Sequence, residues 1–156
     1  MLCFGYLPYR NEPLFTLGPD FKYPLVELAL FNFAMYLPMS AMSAESAFTV
    51  VYQFVLVLQN LFFIATVLWN PGMHPRNPRK HSKQYLQMIC ANNKASAICK
   101  RCNIILGSHA RKVSHCSWCN VCVLGHDHHC VWSSKCIGRG NLYLFYGFLG
   151  MTVVSV

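Results

Sequence analysis

The chain has 156 residues, which leaves room for one domain of ordinary size, with any second unit small or embedded in a membrane. A hydrophobic fraction of 54%, only 12% charged residues and a mean hydropathy of +0.32 exclude an ordinary soluble domain and place the chain in a bilayer. Thirteen Lys and Arg face five acids, and eleven of the thirteen lie between Pro71 and Gly140, where Asp127 is the sole acid.

Residues 1–23 mix Pro, Gly and both signs of charge and read as a flanking tail. They lack the charged start, short apolar core and small-residue cleavage site of a secretory signal. Residues 24–46 hold a first expected transmembrane helix and a short loop, mostly apolar from Pro24 to Ser43 apart from Glu27 and Asn32. A span needs about 20 largely apolar residues. Glu27, near one end, is expected at the headgroups.

Residues 47–69 form the stronger span, 23 residues without a formal charge, closed by the interfacial Trp69. Gln53, Gln59 and Asn60 would be poorly solvated in lipid, so they are expected to face other helices. Asn70-Pro71-Gly72 stops this helix. Residues 70–98 are a basic linker, and the excess of Lys and Arg beside a span marks it as cytosolic. After residues 99–141, which hold the cysteine cluster, residues 142–156 turn apolar again. Fifteen helical residues cover roughly 22 Å of a core about 30 Å thick, so they are expected to be the truncated start of a third span.

Seven of the nine cysteines lie between Cys99 and Cys136, interleaved with histidines. In a reducing cytosolic loop this pattern favours metal over disulfides. The order is Cys99-x2-Cys102, His115-Cys116-x2-Cys119-x2-Cys122, then His128-His129-Cys130-x5-Cys136. Two tetrahedral sites need eight ligands, and Cys99, Cys102, Cys116, Cys119, Cys122, Cys136, His115 and His129 supply that number as two Cys3His sets. Cys130 is then left over beside His128 and Asp127, which together have the parts of an activated thiol nucleophile, its base and a carboxylate that fixes the base's tautomer. Spacing alone does not exclude the lesser alternative that Cys130 is itself a ligand, with another cysteine spare. His109 and His126 read as bystanders, Cys3 and Cys90 as ordinary thiols, and Trp118 and Trp132 as packing or interfacial residues.

The segment resembles the cysteine-rich domain of the DHHC protein S-acyltransferases, the palmitoyltransferases of eukaryotic membranes. The matching residues are Cys99, Cys102, His115, Cys116, Cys119, Cys122, Asp127-His128-His129-Cys130, Trp132, Cys136, Gly138, Asn141 and Phe145, with Asn70-Pro71-Gly72 similar to the family's Asp-Pro-Gly. The resemblance covers roughly residues 47 to 150 when the spans are included, and its cysteine spacing is highly specific. It implies two structural Zn²⁺, one on Cys99, Cys102, His115 and Cys122, the other on Cys116, Cys119, His129 and Cys136. It also implies that Cys130 takes an acyl group from acyl-CoA such as palmitoyl-CoA, with His128 as base and Asp127 orienting it, and passes it to a target protein's juxtamembrane cysteine. The expected fold class is therefore membrane α-helical, with two transmembrane helices plus a partial third and a cytosolic zinc-binding domain of small β-hairpins and loops. The expected setting is a multi-pass protein of the endoplasmic reticulum or Golgi, in contact with membrane lipids.

The chain departs from the family pattern at Val131, where Pro is usual, at Ser134 and Lys135, where two Asn are usual, and at Asn70, where Asp is usual. Cys102 to His115 is three residues longer than is common, and Ala110-Arg111-Lys112 replaces an Arg-Pro-like stretch. The fourth span and a Thr-Thr-x-Glu motif are expected of the family and absent from these residues. One rival is a zinc-binding membrane module or pseudoenzyme acting through partner binding. A nucleic-acid-binding zinc protein ranks far lower: no helix with paired histidines follows a Cys pair at the usual gap, so no nucleic-acid partner is expected.

Overall fold

The structure, a computed structural model, describes residues 2–6, 13–40, 46–73, 98–99, 101–102, 104–106 and 112–155. Most of the basic linker, together with His109 and Cys90, lies outside the described residues, and so does the side chain of Cys3.

Residues 1–23, expected as a tail, instead contain a hairpin of β1 (Leu2–Tyr6) and β2 (Pro13–Leu17), paired antiparallel with Leu2 opposite Leu17. The local sequence gives little reason for it. The partners are distant: the backbone N–H of Asn70 donates to Leu14 O at 3.1 Å, the rings of Phe15 and Trp69 meet edge to face at 5.8 Å, and Thr16 is fully buried.

The first long helix, α1 (Lys22–Ser40), occupies the first expected span, and α2 (Ala47–Leu68) the second. Pro24 is tolerated because it sits in the first turn of α1, where backbone N–H groups lack helical partners anyway. Among the described residues, α2 is the one helix of 18 residues or more that is apolar enough to cross a membrane. Its outer face bears the exposed Phe48, Val51, Phe54, Val57 and Leu61, and α1 likewise exposes Leu30, Phe33 and Leu37. The last helix, α3 (Leu142–Ser155), is apolar and 14 residues long.

Polar residues inside these apolar helices bond the helices to one another. Asn32 of α1 and Asn60 of α2 exchange amide hydrogen bonds of 2.9 and 3.0 Å. Gln59, 1% exposed, donates to Thr152 Oγ1 of α3 at 2.9 Å and accepts from Ser155 Oγ at 3.0 Å. Phe63 packs on Phe148 with centroids 5.1 Å apart. Gln53, expected to face another helix, is exposed instead. Interhelical bonds of this kind contribute about 0.6 to 2 kcal/mol in membranes. Gln59→Leu should therefore lower stability by about 1 kcal/mol, measured as thermal unfolding in detergent, while Gln53→Leu should leave it unchanged.

The cysteine-rich region folds as three further antiparallel hairpins. These are β3 (Ile98–Cys99) with β4 (Ile104–Ile105), β5 (Val113–Cys116) with β6 (Val121–Leu124), and β7 (His128–Cys130) with β8 (Lys135–Ile137). Their small apolar cores are built partly from cysteine. Ile104, Leu106, Val113 and Cys122 form one, and Cys116, Cys119, Val123 and Cys136 the other.

This region caps the C-terminal end of α2, whose last carbonyls have no partners within the helix. Asn141 Nδ2 donates to Thr66 O at 3.3 Å, and Lys135 Nζ donates to Val67 O and Trp69 O at 2.8 and 2.6 Å. The Asn70-Pro71-Gly72 turn is pinned alongside. Asn70 Oδ1 accepts from the N–H of Gly72 and of Met73, and its amide donates to Pro13 O at 2.6 Å. A carboxylate could make the first two bonds but not the third, which is a physical reason for Asn at this position. Gly140 lies so close to the Asn70 carbonyl that a Cβ there would collide with it.

Candidate metal centres and the Cys130 cavity

Hairpin geometry sorts the site residues. Side chains alternate along a strand, so neighbours in sequence face opposite ways. His115 and Cys116, adjacent on β5, accordingly join different clusters. Cys99, Cys102, His115 and Cys122 bring their ligand atoms within 4.8 Å of one another, and so do Cys116, Cys119, His129 and Cys136. Cys130 belongs to neither.

Both clusters fit a tetrahedral ion. Bonds of about 2.3 Å to sulfur and 2.0 Å to nitrogen give an S···N edge of about 3.5 Å. Here His115 Nδ1 stands 3.6, 3.1 and 3.8 Å from the sulfurs of Cys99, Cys102 and Cys122. His129 Nδ1 stands 3.7 and 3.3 Å from those of Cys116 and Cys119.

The electrostatics point the same way. The Cys119 thiol is pulled down to about 6, chiefly by a hydrogen bond from the Cys136 thiol and with help from His129, against the opposing effect of burial. Cys136 is pushed up by that same bond to Cys119, by burial and by the neighbouring thiolates. Cys122 is pushed up by burial and by its bonds to Cys99 and Cys102. Burial also raises Cys99, but the backbone N–H groups of Cys102 and Arg101 and the thiols of Cys122 and Cys102 outweigh it and lower the group overall. Three packed thiols cannot all ionise without a cation among them; a divalent ion removes that conflict.

On β7 the alternation places His128 and Cys130 on one face and His129 on the other. Cys130 is 5% exposed and opens onto a cavity of about 420 Å³. Its wall is mostly apolar, with Phe31, Phe63, Phe145, Phe148 and Leu149 beside His128 and Trp132. The Nδ1 of His128 lies 3.2 Å from Asp127 Oδ2, and Phe145 of α3 meets the His128 ring edge on at 5.2 Å. Of the three residues singled out in the sequence, Cys130 and His128 thus line one cavity, and Asp127 meets His128.

His126, read as a bystander, has a buried Nε2 without a hydrogen-bond partner and belongs to neither cluster. Burial and the charge of His128 lower its proton affinity. Trp118 stacks on the His129 ring at 5.8 Å, which orients that imidazole. Glu27, expected at the headgroups, lines the cavity together with Phe31. Their i, i+4 spacing put both on one helix face, but nothing in the sequence said what that face would meet.

Residues 92–156 match the family model described as DHHC palmitoyltransferase. These residues are a domain of the DHHC palmitoyltransferase family. Named relatives agree. The palmitoyltransferase ERF2 of Candida glabrata is 32% identical over 113 residues, covering 66% of this chain and 35% of the relative. The probable protein S-acyltransferase 14 of Arabidopsis thaliana is 28% identical over 151 residues, covering 83% and 48%. The palmitoyltransferase SWF1 of Saccharomyces cerevisiae is 45% identical over 58 residues, covering 37% and 16%. The chain spans less than half the length of each of these relatives. Both metal-fit clusters and the Cys130 cavity lie within the DHHC domain or border it.

Proposed function

We propose that this chain is the acyl-accepting part of a protein S-acyltransferase that moves a long-chain acyl group from acyl-CoA to Cys130 and then to a cysteine of a target protein. The observation that carries this reading is the position of Cys130, whose sulfur lies outside both four-ligand clusters, at an apolar cavity wide enough for part of an acyl chain, on the same strand face as His128.

The Cys130 thiolate attacks the thioester carbonyl of acyl-CoA, forming a new carbon–sulfur bond. The bond to coenzyme A breaks, and the departing thiolate takes a proton from His128. In the second step His128 removes a proton from the target thiol, which attacks the acyl carbonyl and releases the Cys130 thiolate. One thioester is exchanged for another, so the reaction is close to thermoneutral. What the site must supply is proximity and proton handling. Asp127 holds the Nδ1–H of His128, leaving Nε2 to do the work.

Cys99, Cys102, His115 and Cys122 would hold one Zn²⁺, and Cys116, Cys119, His129 and Cys136 the other. Bound there, zinc supplies structure and no redox chemistry. The Asn32–Asn60 pair and the outward apolar faces of α1 and α2 support two packed membrane helices, with α3 the start of a third. The basic linker supports a cytosolic position for the cluster, beside anionic headgroups and the phosphates of coenzyme A. An endoplasmic reticulum or Golgi membrane and targets with juxtamembrane cysteines suit that arrangement.

The test is incubation of the purified, metal-loaded chain with labelled palmitoyl-CoA. About one hydroxylamine-labile label per chain is expected. A chain with both metals and no label would instead be a zinc-binding membrane module. His128→Ala should slow loading by about 10²-fold or more, the usual contribution of a general base, with metal content unchanged. Equal rates would remove His128 from the reaction.

A further inference from the structure

Lys135 is fully buried, yet it is a lysine. Its ammonium donates to Thr16 O at 2.9 Å, Thr16 Oγ1 at 2.8 Å, Val67 O at 2.8 Å and Trp69 O at 2.6 Å. A buried cation needs such partners to offset lost hydration, and the C-terminal end of a helix is a favourable place for one. No basic residue stands in the last turn of α2 itself, so the cation at that end comes from β8.

The register shows what this contact holds. Lys135 is the direct cross-strand partner of Cys130, so the two side chains stand on the same face of the β7–β8 hairpin. Lys135 reaches Val67 and Trp69, while the Cys130 cavity is walled by Phe63 and Thr66, about one turn earlier on the same helix. The turn between the strands is tied to the N-terminal hairpin as well. Asp20 N–H donates to Ser134 Oγ at 3.0 Å, and Gly18 lies so close to the Ser134 carbonyl that any side chain would collide with it. Ser134 itself has φ of 51°, so its backbone is held in the left-handed region by this packing.

We infer that Lys135 is a positioning residue for the acyl-accepting thiol: with Thr16 and the last carbonyls of α2 it fixes where Cys130 stands over the cavity. Residues 13–20, which precede the DHHC domain, thereby become part of the reacting apparatus. The role in acyl transfer rests on the function proposed above; the placement of the thiol does not.

Two readouts on the metal-loaded chain separate positioning from general support. One is the rate of acyl loading from palmitoyl-CoA. The other is alkylation of Cys130 by a small neutral maleimide, followed by peptide mass spectrometry. Lys135→Met keeps the apolar stem and removes the donors. It is expected to retain two metals, to slow loading about tenfold through misplacement and to speed alkylation several-fold as the buried thiol loosens. Thr16→Val should move both readouts the same way by about threefold, and Thr16→Ser should restore them.

If both variants keep their metals and leave alkylation unchanged, the inference is overturned. Loss of metal from Lys135→Met together with unchanged alkylation in Thr16→Val overturns it too, because the lysine would then be supporting the clusters. A wild-type chain that takes no acyl group refutes the proposed function, and alkylation still decides whether Lys135 places the thiol.

Discussion

Cys130→Ser should abolish hydroxylamine-labile labelling by palmitoyl-CoA while leaving two metal ions per chain. A serine hydroxyl is nearly isosteric with the thiol but stays protonated at neutral pH, and in the proposed mechanism His128, held by Asp127, would handle the proton of a far more acidic group. The loss should reach the detection limit, on the order of 10³-fold or more, because nucleophile removal leaves only positioning behind. The prediction is strict about metal because Cys130 lies outside both groups of four ligand atoms. Gel fluorescence with an alkyne-bearing acyl-CoA, alongside metal analysis of the same preparation, checks both halves. Persistent thioester label in the variant would assign the chemistry to another sulfur.

The second large effect is expected from Cys136→Ser. Cys136 is fully buried and belongs to the cluster with Cys116, Cys119 and His129. It is also the next residue after Lys135 on β8, the strand that pairs with Cys130. A structural zinc in small peptides contributes about 10–16 kcal/mol of binding free energy, which in such domains is folding free energy. Loss of one ligand should therefore release one ion, unfold the β7–β8 hairpin and abolish acyl loading together. The clusters interlock through His115 and Cys116 on β5, so the second ion should bind more weakly as well. Metal analysis should read at most one ion per chain, and the thermal transition should broaden or vanish. A strong chelator, or acid that protonates the thiolates, should reproduce this in the unmodified chain. Two retained ions would show that Cys136 is not a ligand.

The cysteine cluster was the most legible part of the sequence because ligand spacing is short-range: a Cys-x2-Cys turn brings two sulfurs together whatever surrounds it. The stop of α2 at Asn70-Pro71-Gly72 was legible for the same reason, as was the uncharged run of α2 itself. What spacing could not decide was whether Cys130 is a ligand. Strand alternation puts Cys130 on the face opposite His129, and alternation becomes informative only once β7 is known to be a strand.

Elements stabilised by distant partners left no such trace. The β1–β2 hairpin rests on Asn70, Trp69 and Lys135, more than 50 residues away in the chain. Lys135 itself looked like one more cation of a basic loop, and only the fold shows four oxygens converging on it. Gln59 and Asn60 were expected to meet other helices and do so. Gln53, identical in chemistry to Gln59, is exposed, because hydropathy reports the cost of a polar side chain in lipid but not which face of the helix is covered.

The division of the seven cluster cysteines into six metal-holding sulfurs and one reacting sulfur is open to X-ray absorption at the zinc edge, recorded on the wild-type chain and on Cys130→Ser. An average of three sulfurs and one nitrogen per zinc is predicted in both, at about 2.3 and 2.0 Å. A lower sulfur count in Cys130→Ser would mean that Cys130 is bound to metal and would contradict its assignment as the acyl acceptor.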